Sequence, residues 1–156
     1  MSYEPENERA VTDTRKPSDP QTEGAASHDG FERASSGSPF EKSIGFSRAI
    51  RAGDRVLVAG TAPVWPDGHC EDGAYEQARR CFEIISEALT SVGAGLDDVI
   101  RTRMYITSPE YAEAVGSVHG DIFGRTRPAA TMVVVAALLD ARWKVEIEAE
   151  ALLRGS

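Results

Sequence analysis

Residues 143–152 read WKVEIEAEAL, a stretch in which apolar and charged side chains alternate from Trp143 to Ala151. Strict alternation is typical of a β-strand that has one face on a core and the other face in a different environment. The second face carries Lys144, Glu146, Glu148 and Glu150. Carboxylates along one strand face repel one another, and burying them without partners costs still more. This face is therefore expected to meet water or to be paired with cations.

A second strand, predicted over residues 99–107, offers those cations. Its pattern places Arg101, Arg103 and Tyr105 on one face and apolar side chains, Ile100 among them, on the other. Arg101 and Arg103 are the natural partners of the glutamates if the two strands share a sheet.

Three further strands are predicted from apolar runs and turn residues. Residues 44–50 and 55–60 flank the turn at 52–54 and indicate a β-hairpin. Residues 131–138 are almost all apolar, which is typical of a strand covered on both faces. A sheet face that is both this apolar and this charged is expected to be buried by self-association, with polar clefts near the glutamates.

Two amphipathic helices complete the pattern. Apolar residues recur every three or four positions between residues 74 and 92, and Gly93 follows as a helix-ending glycine. Ser108, Pro109 and Glu110 are a helix-start signal, and Gly124 marks the end of that second helix. The predicted order is β-β-α-β-α-β-β, an α+β fold with both helices on one face of the sheet.

The first forty residues differ from the rest in composition. They contain four prolines, a Ser-Gly-Ser run and few large apolar side chains. Such a segment buries too little surface to offset the entropy of ordering it. The sequence predicts a disordered acidic tail at 1–40 and one folded domain at 41–156.

Composition narrows the classes of partner. The chain has 156 residues with 17 Lys and Arg against 25 Asp and Glu, a net charge of -8, which disfavours nucleic acid. It has no long apolar run and no secretory leader pattern, so we expect a cytoplasmic protein without a membrane partner. Cys70 and Cys81 show neither zinc nor disulfide spacing, and neither a metal nor a cofactor is predicted.

Common catalytic fingerprints are missing from the sequence. It contains no P-loop, GxGxxG, HExxH or GxSxG motif. His119 borders the apolar face of the second helix, where packing is the simpler interpretation, and Cys81 lies on the apolar face of the first. Trp65 could line a ligand cleft or cover the sheet edge. Glu146 is the main candidate, because a half-buried carboxylate near arginines can hold a water molecule, although an ion pair at an interface explains it equally well.

Four segments carry a resemblance to a known family: GFSRA at 45–49, VAGTAP at 58–63, RPAATMV at 127–133 and VEIEA at 145–149. They resemble motifs of the Rid superfamily, also called RidA or YjgF-like, and the match spans residues 41–153. The resemblance implies a chorismate-mutase-like fold, a homotrimer whose sheets face inward, and three small-molecule clefts between subunits. Its archetypal members are 2-imino acid or enamine deaminases that use neither metal nor cofactor.

The resemblance also implies site residues, several of which depart from the archetype. Glu146 matches the glutamate that positions the attacking water. The substrate-binding arginine is replaced by Ala130, and four other cleft positions carry Phe46 for tyrosine, Ala59 for serine, Gly116 for asparagine and Met132 for cysteine. A methyl group cannot make the bidentate contact of a guanidinium with a carboxylate. The sequence therefore resembles a divergent Rid subgroup.

Three functions stay open at this point. The chain hydrolyses an imine or related compound, with Glu146 holding water, Arg103 as a replacement anchor and amides near Gly60 and Met132 as donors. Alternatively, it binds a small ligand without catalysis, or it is a chaperone-like interaction protein.

Overall fold

The computed structural model describes residues 29–155. Within that range the chain forms six strands and two α-helices. They are β1 (Glu32–Ala34), β2 (Ala49–Ala52), β3 (Arg55–Thr61), α1 (Ala74–Ser91), β4 (Val99–Ile106), α2 (Ala112–Phe123), β5 (Ala129–Val134) and β6 (Val145–Leu152). A π-helical turn spans Glu41–Gly45, and short 3-10 turns precede β4 and α2.

The strands form one mixed sheet in the order β1-β2-β3-β6-β4-β5. The β4–β5 pair is parallel and all other pairs are antiparallel. The strand β6, which carries the alternating stretch, lies in the middle of the sheet between β3 and β4. Its two faces therefore decide which side of the sheet becomes the core.

The core lies between the sheet and the two helices. Val145, Ile147 and Ala149 of β6 are buried against α1, whose Cys81, Phe82, Ile85 and Leu89 are buried as well. Val115 and Val118 complete the core from α2. The three-and-four spacing predicted these helix faces correctly, and Gly93 ends α1 with a left-handed φ of 77°.

The opposite face of the sheet is left open by the described residues and is called the open face below. Glu146, Glu148 and Glu150 lie on it, half-buried, as the alternation predicted. Leu57 and Val133 also lie on it by register and are 41% and 42% exposed. The fold is thus a two-layer α+β structure with one covered and one uncovered sheet face.

Several boundaries differ from the prediction. Strand β1 lies inside the segment predicted as a disordered tail up to residue 40, so that boundary is wrong, while residues 1–28 lie outside the described residues. Residues 41–45 form a π-helical turn rather than the start of the hairpin, and β2 begins only at Ala49.

Two strand details were also predicted wrongly. A register shift between Val99 and Arg101 leaves Ile100 47% exposed instead of facing the core. The apolar run predicted as a strand over 131–138 pairs only over Ala129–Val134, at the edge of the sheet, where the chain itself leaves most of β5 exposed.

The second helix begins later than its start signal. Ser108 and Pro109 open a 3-10 turn over Pro109–Tyr111, and the α-helix follows from Ala112 to the predicted end at Gly124. Neither α1 nor α2, the two α-helices within residues 29–155, is long and apolar enough to cross a membrane.

Candidate ligand site around Glu146

Glu146 lies on the open face of β6, opposite Tyr105 of β4. Its side chain is half-buried, and burial raises the pKa of the carboxyl group, while the positive charge of Arg48 opposes the rise. A carboxyl group with a raised pKa is a stronger base in its ionised form than an exposed glutamate. Glu146 therefore has the properties that holding and activating a water molecule requires.

Gly60 provides the space that the Glu146 carboxylate occupies. A β-carbon added at Gly60 would overlap Oε1 of Glu146. The β3–β6 register shifts between Val58 and Thr61, so that Ala59 and Gly60 together oppose a single residue of β6. Bulges of this type commonly redirect a side chain beside a functional site, and here the bulge brings a residue without a side chain against the carboxylate.

Arg48 is the cation beside this carboxylate, and sequence analysis did not single it out. Its Nη2 donates a hydrogen bond of 2.6 Å to the carbonyl oxygen of Gly60. Its Nε is buried and has no hydrogen-bond partner among the described residues. Arg48 and Glu146 thus both contact Gly60, without the direct contact of 4.0 Å or less that would make them an ion pair. The only sequence signal for Arg48 is its place in the GFSRA segment.

Phe46 and the π-helical turn hold Arg48 from the other side. The Arg48 guanidinium carbon lies 6.0 Å from the centre of the Phe46 ring. The turn before Phe46 is fixed by buried Glu41, which accepts hydrogen bonds from the Ser35 hydroxyl at 2.5 Å and from the Ser36 backbone at 2.9 Å. Burial alone would raise the pKa of Glu41, but these hydrogen bonds lower it below its ordinary value.

A ladder of ion pairs occupies the rest of the open face. Arg103 Nη1 lies 2.7 Å from Glu148 and 3.4 Å from Glu150, and Arg55 reaches Glu150 at 2.9 Å. The predicted pairing of Arg103 with the β6 glutamates is therefore confirmed. Arg101, predicted to pair in the same way, forms no ion pair within residues 29–155, and the contribution of Arg55 was missed. Since two carboxylates already engage Arg103, it is a poor anchor for a ligand.

The other predicted site residues do not all meet Glu146 within one chain. Ala59 lies beside Gly60 in the bulge, and its backbone N–H donates to the Arg48 carbonyl oxygen at 3.0 Å. Ala130 and Met132 pair with Thr102 and Met104, which places them on the helix face of the edge strand. Gly116 is exposed on α2. One chain thus brings together Phe46, Ala59, Gly60 and Glu146, while Ala130 and Met132 lie on β5 and Gly116 lies on α2.

The remaining candidate side chains lie away from Glu146 or are unreactive. His119 is on the helix face, where its Nε2 lies 2.9 Å from the Thr102 hydroxyl and burial lowers its pKa. Cys81 donates to the Thr61 carbonyl oxygen at 3.2 Å, and burial raises the pKa of its thiol far above the ordinary value. Trp65 packs under the guanidinium of Arg80 at 3.9 Å, which ties its loop to α1.

Metal ligation was also considered for the described part of the chain. Residues 29–155 contain no group of three or more His, Cys, Asp or Glu side chains placed to hold a metal ion. The groups that meet at the site are a carboxylate, a guanidinium and nearby backbone groups. This fold and this cluster define a small α+β domain with a carboxylate–guanidinium site on its open sheet face.

Comparison with known proteins identifies the family. The model of the Ribonuc_L-PSP family, described as Endoribonuclease L-PSP, matches residues 38–153. The uncharacterized protein SCO2049 of Streptomyces coelicolor is 42% identical over 120 residues, which cover 76% of this chain and 90% of that protein. The chain belongs to this family, which is also known as YjgF, RutC or Rid, as the sequence resemblance had indicated.

Solved structures agree with this assignment. The crystal structure of Rv2704 from Mycobacterium tuberculosis, a member of the YjgF/YER057c/UK114 family, has a TM-score of 0.73 and 42% identity, covering 79% of this chain and 99% of that one. Escherichia coli TdcF, solved with bound serine, has a TM-score of 0.67 and 25% identity, with coverage of 78% and 94%. The predicted fold class is thereby confirmed.

Proposed function

We propose that the protein is a homotrimer whose intersubunit clefts bind a small nitrogenous metabolite and hydrolyse its imine or enamine group. The observation that carries this proposal is the position of Glu146, a half-buried carboxylate packed against Gly60, whose carbonyl oxygen accepts a hydrogen bond from Arg48. No metal or cofactor is required, because water is the nucleophile and the carboxylate moves its proton. The reaction is the one that the Rid resemblance implies.

The chemical steps use Glu146 as a base and then as an acid. Glu146 accepts a proton from water as the water oxygen bonds to the carbon of the protonated imine, which gives a neutral carbinolamine. Glu146 then returns this proton to the nitrogen and accepts the proton of the carbinolamine hydroxyl as the carbon–nitrogen bond breaks, so that ammonia and a carbonyl compound leave. The proton left on Glu146 passes to ammonia or to solvent, which restores the carboxylate. General base catalysis of this kind contributes about 10²- to 10⁴-fold to the rate.

The arrangement of the predicted site residues supports a cleft between subunits. Glu146 is on the open face, whereas Ala130 and Met132 are on the helix face of the edge strand β5. A single chain cannot direct both groups at one small ligand through the sheet. A second subunit that places its edge strand beside the open face of the first would unite them and would also cover Leu57 and Val133.

The name of the family model refers to an endoribonuclease, but we do not extend that activity to this chain. The net charge is -8, which opposes approach to a phosphate backbone. Of the histidines in the described residues, His119 is held against Thr102 on the helix face and His69 lies 3.3 Å from Glu71 in a loop. Neither is beside Glu146 to serve as its acid–base partner.

The test of the proposed function is an imine hydrolysis assay. An amino-acid oxidase generates 2-imino acids in situ, and trapping with semicarbazide follows their loss with and without the protein. The wild-type protein is expected to accelerate the loss, and Glu146→Gln to reduce that acceleration by about 100-fold or more. Glu150→Gln is the matched control on the same strand and face, and it is expected to keep the activity.

A second candidate function is ligand binding without turnover. It is favoured by Ala130, which leaves a methyl group where a catalytic relative has an arginine, and TdcF is a relative solved with a bound amino acid. Under this alternative no imine is consumed, but 2-oxobutanoate or serine raises the melting temperature in a saturable way. An unchanged imine lifetime together with such a shift would decide for binding.

A further inference from the structure

The geometry points to Arg48 as the anchor for the anionic group of the ligand, in the role that Ala130 cannot fill. This inference rests on the proposed function, because it assumes that the ligand of the Glu146 site carries a carboxylate. It adds a residue that determines specificity, since only ligands with an anionic group next to the reacting carbon would use the contact.

The hydrogen bonding of Arg48 leaves most of its donors unused. A guanidinium has five N–H donors in a planar fork. Among the described residues, the side chain of Arg48 has one hydrogen bond, from Nη2 to the Gly60 carbonyl oxygen, and its buried Nε has none. A partly buried guanidinium with one neutral acceptor does not regain all of the hydrogen bonds that it loses with water. A carboxylate is the acceptor that matches its charge and shape best.

Arg48 differs from Arg55 and Arg103, two of the other arginines of the open face. Arg55 and Arg103 each have a glutamate within 3.0 Å, so their charges are neutralised inside the chain. Glu146 and Glu41 influence Arg48 at longer range without forming an ion pair with it. Arg48 is thus a charge on this face that remains available to a ligand.

The position of Arg48 relative to Glu146 fits one small molecule. The guanidinium binds the carbonyl side of Gly60, and the carboxylate of Glu146 lies over the α-carbon of the same residue. A ligand with its carboxylate on Arg48 would place a neighbouring carbon toward Glu146. A 2-imino acid has this arrangement, because its carboxylate is bonded directly to the imine carbon.

The neighbours of Arg48 keep it in place for this role. The Phe46 ring lies beside the guanidinium. The hydrogen bonds from the Ser35 and Ser36 hydroxyls to the Glu41 carboxylate fix the segment that precedes Phe46. Holding the side chain before the ligand arrives lowers the entropy that binding must offset. The ligand therefore meets a guanidinium that is already oriented.

Equilibrium binding tests the inference without depending on turnover. Calorimetry would measure the affinity for 2-oxobutanoate, which keeps the carboxylate, and for its uncharged amide, 2-oxobutanamide. For Arg48→Gln we expect affinity for the acid to fall by about 10- to 100-fold, the scale of a lost charge-assisted hydrogen bond, and affinity for the amide to stay the same. Arg48→Lys should lie between wild type and Arg48→Gln, and Arg125→Gln, an exposed arginine paired with Asp97, should match wild type.

A second measurement covers the case in which Arg48→Gln does not fold. In an NMR spectrum of the arginine side chains, the Nε–H resonance of Arg48 is assigned as the one that is missing from the spectrum of Arg48→Lys. In the wild-type protein this resonance should shift on titration with 2-oxobutanoate and should not shift with the amide. The inference is overturned if that resonance does not respond, if Arg48→Gln binds the acid as tightly as wild type, or if it loses acid and amide equally.

These outcomes separate the inference from the proposed function. If binding of 2-oxobutanoate depends on Arg48 but no imine is hydrolysed, the role of Arg48 as the anchor is supported and the proposed hydrolase activity is overturned. Turnover that depends on Glu146, with an unchanged KM for the 2-imino acid in Arg48→Gln, supports the hydrolase and overturns the anchor.

Discussion

Oε1 of Glu146 occupies the space in which a β-carbon of Gly60 would lie. The backbone of Gly60 is not in the left-handed region, so its conformation does not require a glycine. The glycine is needed because a side chain would overlap the carboxylate. The two residues come from neighbouring strands, and the bulge between Val58 and Thr61 brings them together. The position of the carboxylate is therefore set by the absence of a side chain on Gly60.

Gly60→Ala should consequently displace the Glu146 carboxylate while leaving the fold intact. The atom that must move is the end of a flexible side chain, so we expect a small change in melting temperature. A misplaced catalytic group costs about 10- to 100-fold, and imine hydrolysis should fall by that factor. Circular dichroism and the semicarbazide assay together measure both effects.

Gly120→Ala is the control for this substitution. A β-carbon at Gly120 meets no atom within 4 Å, and the residue lies in the interior of α2. Alanine is favoured over glycine there, so stability should be unchanged or higher by up to about 1 kcal/mol, with full activity. Full activity in Gly60→Ala would show that the position of the Glu146 carboxylate against Gly60 does not matter for turnover.

Gln77 supports a second prediction, about stability. This fully buried side chain donates to the carbonyl oxygens of Glu71 at 2.6 Å and Arg142 at 2.9 Å, and accepts from the backbone of Lys144 at 2.7 Å. It joins the loop before α1 to the loop before β6. Gln77→Ala would leave these backbone groups without partners, at about 1–3 kcal/mol for each buried group.

We therefore expect Gln77→Ala to lower the free energy of unfolding by about 2–5 kcal/mol, measured by urea denaturation at a fixed protein concentration. Gln77→Glu is the matched variant, because its carboxylate still accepts from Lys144 but would bury a charge against the two carbonyl oxygens of Glu71 and Arg142. It should be at least as unstable as Gln77→Ala. A loss below 1 kcal/mol in Gln77→Ala would contradict the assigned role.

The regular parts of this fold were predictable because they depend on local periodicity. The alternation in 143–152 reports a strand with two different faces, and the spacing along 74–92 reports one buried helix face. Each pattern needs only the identity of neighbours along the chain. The same alternation also predicted that arginines would pair with the β6 glutamates, as Arg103 does.

The errors occur where specific contacts override the periodicity of the sequence. Ile44 and Phe46 have strand-like spacing, but Glu41 is bound by Ser35 and Ser36 and closes a π-helical turn instead. Ile100 has a core-like residue type, but a register shift against β6 turns it outward.

Arg48 could not be identified from the sequence because its significance depends on what lies beside it. In the sequence it is one of many arginines, flanked by Ser47 and Ala49. Only the pairing of β2 with β3 and of β3 with β6 brings it to Gly60 and thus to Glu146. The candidate site was therefore half predictable: the carboxylate from its strand, but not the cation.

His119 leads to a prediction about pH. Burial lowers the pKa of its imidazole in the folded protein, and its ring packs on Phe82 and Phe123 as well as on Thr102. The unfolded chain therefore binds a proton more readily, near pH 6.5. The contribution of the neutral histidine to stability is present above that pH and is lost as the pH falls through the unfolded pKa toward the folded one.

The expected result is that the unfolding free energy of the wild type declines between pH 7 and pH 5 more than that of His119→Gln. Glutamine keeps a hydrogen bond to Thr102 but does not titrate, so the difference between the two curves isolates the histidine. Urea denaturation at several pH values measures it. Parallel curves would mean that His119 titrates normally in the folded protein.

Val133 tests the proposed assembly. It lies on the open face of the edge strand β5 and is 42% exposed in the single chain, in register with Tyr105. If a second subunit covers this face, Val133→Asp places a carboxylate in an apolar contact, and burying that charge without a partner is strongly unfavourable. Sedimentation equilibrium should give three times the chain mass for the wild type and the mass of one chain for Val133→Asp.

Leu139→Asp is the control, because Leu139 is already 95% exposed in the loop before β6 and lies outside the sheet. It should assemble as the wild type does. If the ligand site requires two subunits, Val133→Asp should also lose binding of 2-oxobutanoate, although Arg48 and Glu146 are unchanged in it. A monomeric Val133→Asp protein that still binds the acid would mean that the open face of one chain forms the whole site.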